Sequence, residues 1–354
     1  MILSRYLMKA FLVRFTALLV GLVLFLQTLD LLAVANEIMA GAPIESLGRY
    51  VMLRMPSLVE TVAPLAGLLG ALTALVVMAM NSEILAMRAA GRSVLGLMGG
   101  LVGVGLALSI LLFAFSEFVV VRANAELEDW RGSGYGAGTE EVTDENSWVM
   151  EGNTIIRVGH VMRGGTILHD VRLFKQRDSS NVTDIINIRL AIWENDKWTT
   201  VEMRRVGGAE GDNEPLVWDT HLKPEHFVRF ANHPNELSLN ALQQYIGNVA
   251  IGSRPIYFYD TWLQQKIAGP IVLALMPLLA GIAAFAHHRQ GGSVMTIVWG
   301  ISIGFTFIIV DNILIAMGQF GSLPPLMAAW LPLALFGTIG VWIIFNFEHT
   351  GVRG

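Results

Sequence analysis

The chain has 354 residues, 53% of them hydrophobic and only 15% charged, with a mean hydropathy of +0.54. That balance excludes an ordinary soluble domain and places the chain in a bilayer. A net charge of −5 singles out no partner and gives no reason to expect nucleic acid, and a chain without cysteine has no disulfide staples.

Taken in chain order, Arg5, Lys9 and Arg14 precede a first apolar run at about Phe15 to Val34. The run is long and no small-x-small cleavage site follows it, so it reads as an uncleaved first span. Asp30 and Glu37 stand near its outer end. A second run, Val62 to Met80, follows Arg49, Arg54, Pro56, Glu60 and Pro64. Residues 82–93, S-E-I-L-A-M-R-A-A-G-R-S, then form roughly three turns of helix-favouring sequence bearing Glu83, Arg88 and Arg92. That is more than a hairpin needs at a water surface. An ordinary interfacial helix would carry the same arginines; the sharper reading is a helix on the cytoplasmic face that engages a soluble partner. The third run, Val94 to Phe115, is glycine-rich and ends at Glu117. Its pairs Gly96/Gly100 and Gly99/Gly103, like Gly300/Gly304 later, have the spacing that lets helix backbones approach.

From about Arg122 to Thr261 the sequence turns polar with period-two alternation. Ile186, Ile188, Leu190 and Ile192 alternate with Asn187, Arg189, Ala191 and Trp193, and Asn195-Asp196 is a turn before Trp198 to Met203, which predicts a hairpin. Further strands are predicted at 148–150, 154–158, 171–175 and 216–221, separated by clusters such as Gly207 to Pro215. Many short strands without a helical pattern argue a β-sandwich or jelly roll. His160, His169, His221, His226 and His233 are scattered, with no metal-ligand or Ser-His-Asp spacing, so neither a metal site nor a catalytic residue is expected. Ser238 is a plausible N-cap for a short helix through Leu242 and Tyr245.

Three more spans follow at about Ile267 to Ala286, Val294 to Met317 and Leu323 to Phe345, making six of a length to cross about 30 Å of hydrocarbon. His287-His288-Arg289 reads as a wet turn between two of them. The fold class is therefore a polytopic α-helical membrane protein with six transmembrane helices and an inserted all-β domain. Its parts are 1–121 with spans one to three and the 82–93 helix, 122–261 as the β-domain, and 262–354 with spans four to six. Lysine and arginine in the short loops put both termini and the Glu83 segment in the cytoplasm and the β-domain outside. Carboxylates inside spans are costly. Glu37, Glu117 and Lys266 read as headgroup-layer charges, whereas Asp311, flanked by apolar residues, faces either a cavity, a partner or a hydrogen bond within the bundle. No Gly-x-x-x-x-Gly-Lys-Ser/Thr phosphate loop occurs, so no nucleotide is assigned to this chain, and any ATP that drives it belongs to another polypeptide.

The Glu83 block, with Pro56 and Pro64 before it and Lys266-Ile267, Pro270, Gly304-Phe305, Asp311-Asn312, Pro324-Pro325 and Pro332 after the β-domain, resembles the LptF/LptG family of lipopolysaccharide-export ABC transporter permeases. Leu239 to Ile246 and the Gly304 to Asp311 run bring it nearer the LptG branch than the LptF branch. The resemblance implies a coupling helix in which Glu83, Met87, Arg88 and Gly91 meet an LptB ATPase pair that uses the ATP. It also implies an LptF partner, an LptC bridge protein, a periplasmic jelly roll, and lipopolysaccharide as cargo in the inner membrane. Spans one and five are expected to wall the cavity with Leu22, Phe25, Leu29, Phe305, Phe307 and Ile308, under a rim of Asp30, Glu37, Arg49, Arg54 and Asp311. The rim departs from the LptG pattern, since Asp30, Asn36 and Glu37 stand where lysines hold the acidic headgroup. Three explanations stay open: a less anionic headgroup, bridging divalent cations, or capture by Arg49 and Arg54. The rival classes are a polytopic membrane enzyme, for which no nucleophile or ligand set is found, and an ion-coupled secondary transporter using Asp311.

Overall fold

A computed structural model describes residues 2–41, 44–89, 91, 93–132, 135, 147–151, 154–162, 165–178, 181–205, 217–218, 220, 222–224, 227, 237–247, 255–286 and 293–350. Arg92, the 207–215 turn, His221, His226, His233 and the 287–289 turn lie outside the described residues. The chain divides into two compact units, one of residues 1–34, 50–124 and 261–354, the other of residues 35–49 and 125–260.

Among the described residues, six helices are long and apolar enough to span a membrane. They are α1 (Ile2–Gly41), α2 (Ser46–Met80), α4 (Val94–Phe115), which runs through a π turn (Ser116–Val120) into α5 (Val121–Gly132), α7 (Ile256–Ala286), α8 (Ser293–Gln319) and α9 (Pro325–Thr350). The short α3 (Glu83–Ala89) lies between α2 and α4. At 40 residues α1 is about 60 Å long, twice the hydrocarbon thickness, so it continues well past the bilayer. Pro56 and Pro64 sit inside α2, and Pro270 and Pro277 inside α7, without ending either helix. Spans two and four are the most buried, spans one and five the least. Phe11 and Phe15 of α1, Leu68 and Leu72 of α2, Leu101 of α4 and Met276 of α7 belong to the main core of this unit.

Glycine works differently from the spacing expectation. Gly300 and Gly304 of α8 receive the side chains of Leu72 and Leu68 from α2, while Gly99 and Gly103 have nothing near them. Backbone approaches fall outside those pairs, at Gly70 and Gly105: a Cβ would stand 2.9 Å from the Phe15 Cα of α1 at the first and 2.9 Å from the Ala274 Cα of α7 at the second. Only glycine lets α4 and α7 touch so closely.

In the second unit six strands pair in sequence order as one antiparallel sheet: β1 (Ser147–Glu151), β2 (Thr154–Met162), β3 (Ile167–Asp178), β4 (Asn181–Glu194), β5 (Lys197–Arg205) and β6 (Val217–Trp218). This is a meander, and the described strands do not trace the finer jelly-roll order. The predicted hairpin is present. Asn195 and Asp196 both have left-handed backbone, φ 51° and 62°, as a two-residue turn that matches strand twist requires.

The strict alternation expected over 186–192 breaks. Ile186, Ile188 and then Ala191 are buried, whereas Leu190 and Ile192 are half-buried. The same change of phase runs across β2 (Val158, then Val161) and β3 (Leu168, then Val171), yet all these residues share one core. The cause is a line of irregular residues at Gly159, Asp170, Arg189 and Glu202, with Asp170 and Glu202 at φ 50° and 54°. A left-handed residue puts two consecutive side chains out of the two-residue period, as a bulge does. Gly159 is needed there because a Cβ would meet the Asp170 Cβ at 3.0 Å. Trp198, fully buried, closes the core: its indole N–H donates to the Leu222 carbonyl at 2.7 Å, and Trp193, Trp218 and Phe227 pack round it. The short helix α6 (Leu239–Gly247) begins just after Ser238, whose carbonyl accepts from the Leu242 N–H.

Candidate functional site

Three groups of residues make up the sites expected from the sequence, and all lie in the membrane unit apart from Glu37 and Arg49 with its partners. The first is α3. Ser82, at φ 57°, turns the chain out of α2, and the Ala86 N–H bonds the Ser82 carbonyl to start the helix. Ile84 and Met87 point into the bundle core, where Met87 is buried. Met87 therefore corrects the expectation of a contact with an outside protein: it anchors α3 from within, because a thioether fills a core readily. Glu83 starts the helix with one oxygen accepting weakly from the Asn81 amide at 3.4 Å, while Oε2 is buried with no hydrogen-bond partner among the described residues. Gly91 is exposed at φ 80°, and Ser93 caps α4 by accepting the Gly96 N–H at 3.0 Å. Arg88 lies on α3.

The second is the outer rim. The Asp30 carboxylate accepts from the Tyr50 hydroxyl at 2.7 Å and from Arg54 Nε at 3.2 Å. Arg49 is bound to Glu126 at 2.9 Å and lies 5.0 Å over the Trp130 ring. Asp30 is thus neutralised by Arg54 rather than standing as a lone anion, and both arginines already serve internal carboxylates. Sequence order hides this pairing, since α1 and α2 run antiparallel and bring residues 24 positions apart to one level. Glu37 lies near the end of α1. Glu117 and Lys266, expected in the headgroup layer, pair with each other at 3.2 Å, with side-chain exposures of 21% and 9%. Glu60 and Asp311 lie in the same membrane unit, with Ser116 and Gln265 as their respective polar neighbours.

The third is the apolar wall. Phe25 and Leu29 of α1 and Phe305 of α8 are exposed. Leu22 is half-buried against Val23, Leu58 and Val62, and Ile308 against the main core. Phe307 does not belong to the wall: it is 1% exposed, edge-on to Phe336 at 5.2 Å. The open faces also include Leu32, Ile309 and Ile313, which the sequence reading did not name. Positions 25, 29 and 32 on α1 and 305, 309 and 313 on α8 each share one helix face, but with apolar residues all round the helix no polar side marks that face in the sequence. Among the described residues no group of three or more His, Asp or Glu side chains could hold a metal ion, although His160 and His169, apart in sequence, are register partners across β2 and β3.

The membrane unit thus combines a helix hairpin that bears a short helix at its turn with exposed apolar residues on α1 and α8, and the second unit carries the sheet. The sequence model of the lipopolysaccharide export system permease LptF/LptG family matches residues 5–346. The chain belongs to that family. Similar proteins include the lipopolysaccharide export system permease protein LptG of Escherichia coli K12, 24% identical over 309 residues, covering 84% of this chain and 85% of that one. The Haemophilus influenzae protein of the same name is 25% identical over 302 residues, with 82% and 83% covered. The chain is accordingly a lipopolysaccharide export permease, a multi-pass inner-membrane protein working in the Lpt ABC transporter. Family membership favours this over the ion-coupled transporter built on Asp311.

Proposed function

We propose that this permease is the LptG-type half of a heterodimer with an LptF-type paralogue, and that α3 receives the work of a paired LptB ATPase. The observation that carries the reading is Glu83. Its Oε2 is buried without a donor among the described residues, at the start of a helix whose inner face is fastened by Ile84 and Met87. A buried carboxylate oxygen without a donor is costly, and a basic side chain of a docked ATPase supplies the missing one. ATP stays on LptB, and this chain hydrolyses nothing.

Arg5, Lys9 and Arg14 support cytoplasmic termini and a periplasmic β unit, jelly-roll-like in its complete form, on which the LptC bridge assembles. Lipopolysaccharide leaves the outer leaflet of the inner membrane with its acyl chains against Phe25, Leu29 and Phe305. The test is Glu83→Ala in the purified complex. Loss of lipopolysaccharide-stimulated ATPase activity and of transport, with assembly retained, is the expected result; wild-type values of both would remove α3 from coupling.

A further inference from the structure

The backbone passes four times between the two units: on α1 after Val34, on α2 after Arg49, on α5 after Asn124 and on α7 after Asp260. On the membrane-unit side of these passages, charged groups join the helices in pairs. Asp30 of α1 holds Tyr50 and Arg54 of α2. Glu117, on the π turn about two helical turns before the α5 passage, holds Lys266, about two turns after the α7 passage. Glu60 of α2 lies near enough to this second pair to sense the Lys266 charge.

The second pair sits at a particular place in α4. Farther along the helix, α4 and α7 touch backbone to backbone at Gly105 and Ala274, which leaves them no freedom there. Toward the β unit α4 loosens into the π turn, where the Val121 N–H reaches back to the Ser116 carbonyl. Single π turns inside α-helices often stand at functional sites because the wider ring permits local adjustment. A largely buried ammonium 3.2 Å from a carboxylate in a membrane unit is not a surface ornament. Removing one partner leaves an uncompensated buried charge, so the pair opens with difficulty.

We propose that Lys266 is a positioning residue of transport: by holding Glu117 at the π turn, it locks together α4 and α7, the helices that carry the chain into and out of the β unit. Motion driven by ATP in the membrane helices then reaches the β unit instead of being absorbed in the π turn. The proposal rests on the lipopolysaccharide-transport reading above.

The experiment uses the complete transporter in proteoliposomes with Lys266→Met, Lys266→Arg and the exchange Glu117→Lys with Lys266→Glu. Lys266→Met is expected to keep basal ATPase activity within about twofold while lipopolysaccharide release falls about fivefold or more, a coupling loss of the size single residues produce. Lys266→Arg and the exchange should each restore at least about half of the release. Because the chain has no cysteine, spin labels at Phe118→Cys and Ile267→Cys, both exposed, report the α4–α7 distance beside the pair. That distance should be narrow in wild type and the Arg variant and should broaden during turnover in the Met variant. Wild-type release by Lys266→Met overturns the proposal, as does an exchange variant that assembles but stays as defective as Lys266→Met. If Lys266→Met fails to assemble, the exchange variant decides in the same way. A wild-type transporter that hydrolyses ATP without releasing lipid would defeat the transport reading itself, and with it this proposal.

Discussion

Replacing Asp30 separates two contributions that meet on one carboxylate. Asp30→Asn removes the charge facing Arg54 but leaves an oxygen for the Tyr50 hydroxyl, whereas Asp30→Ala removes both. Two unit charges about 4 Å apart interact by roughly 4 kcal/mol at an effective dielectric near 20. The side chains of Arg54 and Asp30 are 34% and 24% exposed, so screening and desolvation reduce this to a net of about 1 kcal/mol. Tyr50 is 1% exposed and its bond is 2.7 Å long, so an orphaned hydroxyl costs about 1–3 kcal/mol more. In thermal or denaturant unfolding of the detergent-solubilised permease, Asn should therefore lower stability by about 1 kcal/mol and Ala by about 2–4 kcal/mol. Asn should also release Arg54, raising binding of phosphate-rich over dephosphorylated lipopolysaccharide, with no effect of chelator on the wild type at this rim. Equal stability losses for Asn and Ala, or a wild-type affinity that collapses on chelation, would refute the internal pairing of Asp30 and revive cation bridging.

Phe307→Ala should cost about 3–5 kcal/mol through the cavity it leaves against Phe336, and Phe305→Ala less than about 1 kcal/mol, read by thermal unfolding. Photo-crosslinkers placed at Phe25, Leu29 and Phe305 should capture lipopolysaccharide, and one at Phe307 should not; the reverse order would misplace the open face. Trp198→Phe should lower the stability of the β unit by about 1–3 kcal/mol, seen in the tryptophan fluorescence of the full chain, because the Leu222 carbonyl loses its donor. Glu202→Gly should stabilise the same unit by about 0.5–1 kcal/mol, since its left-handed backbone suits glycine and the Arg189 ion pair it gives up is exposed.

Some of this was readable from the chain alone because it depends on local order. Six runs of apolar residues must become helices in lipid, where every backbone group has to be satisfied within its own segment. Asn195-Asp196 specifies its turn by the φ it tolerates, and the Glu83 block declares itself by carrying charge where a short turn would suffice. Other features depend on which neighbours arrive. Phe305 and Phe307 are the same residue type two positions apart in a helix apolar all round, so no pattern in α8 says which faces lipid and which the core. Asp30 looked like a free anion, and Glu117 and Lys266 like separate surface charges, until antiparallel helices brought their partners to the same depth. The phase change across the sheet was equally out of reach, since it takes four strands in register to align Gly159, Asp170, Arg189 and Glu202. Hydropathy and turn chemistry belong to each residue and its immediate neighbours, and so are present in the sequence. The pairing of charges and the choice of inner face belong to contacts between distant segments, and only the packed tertiary structure decides them.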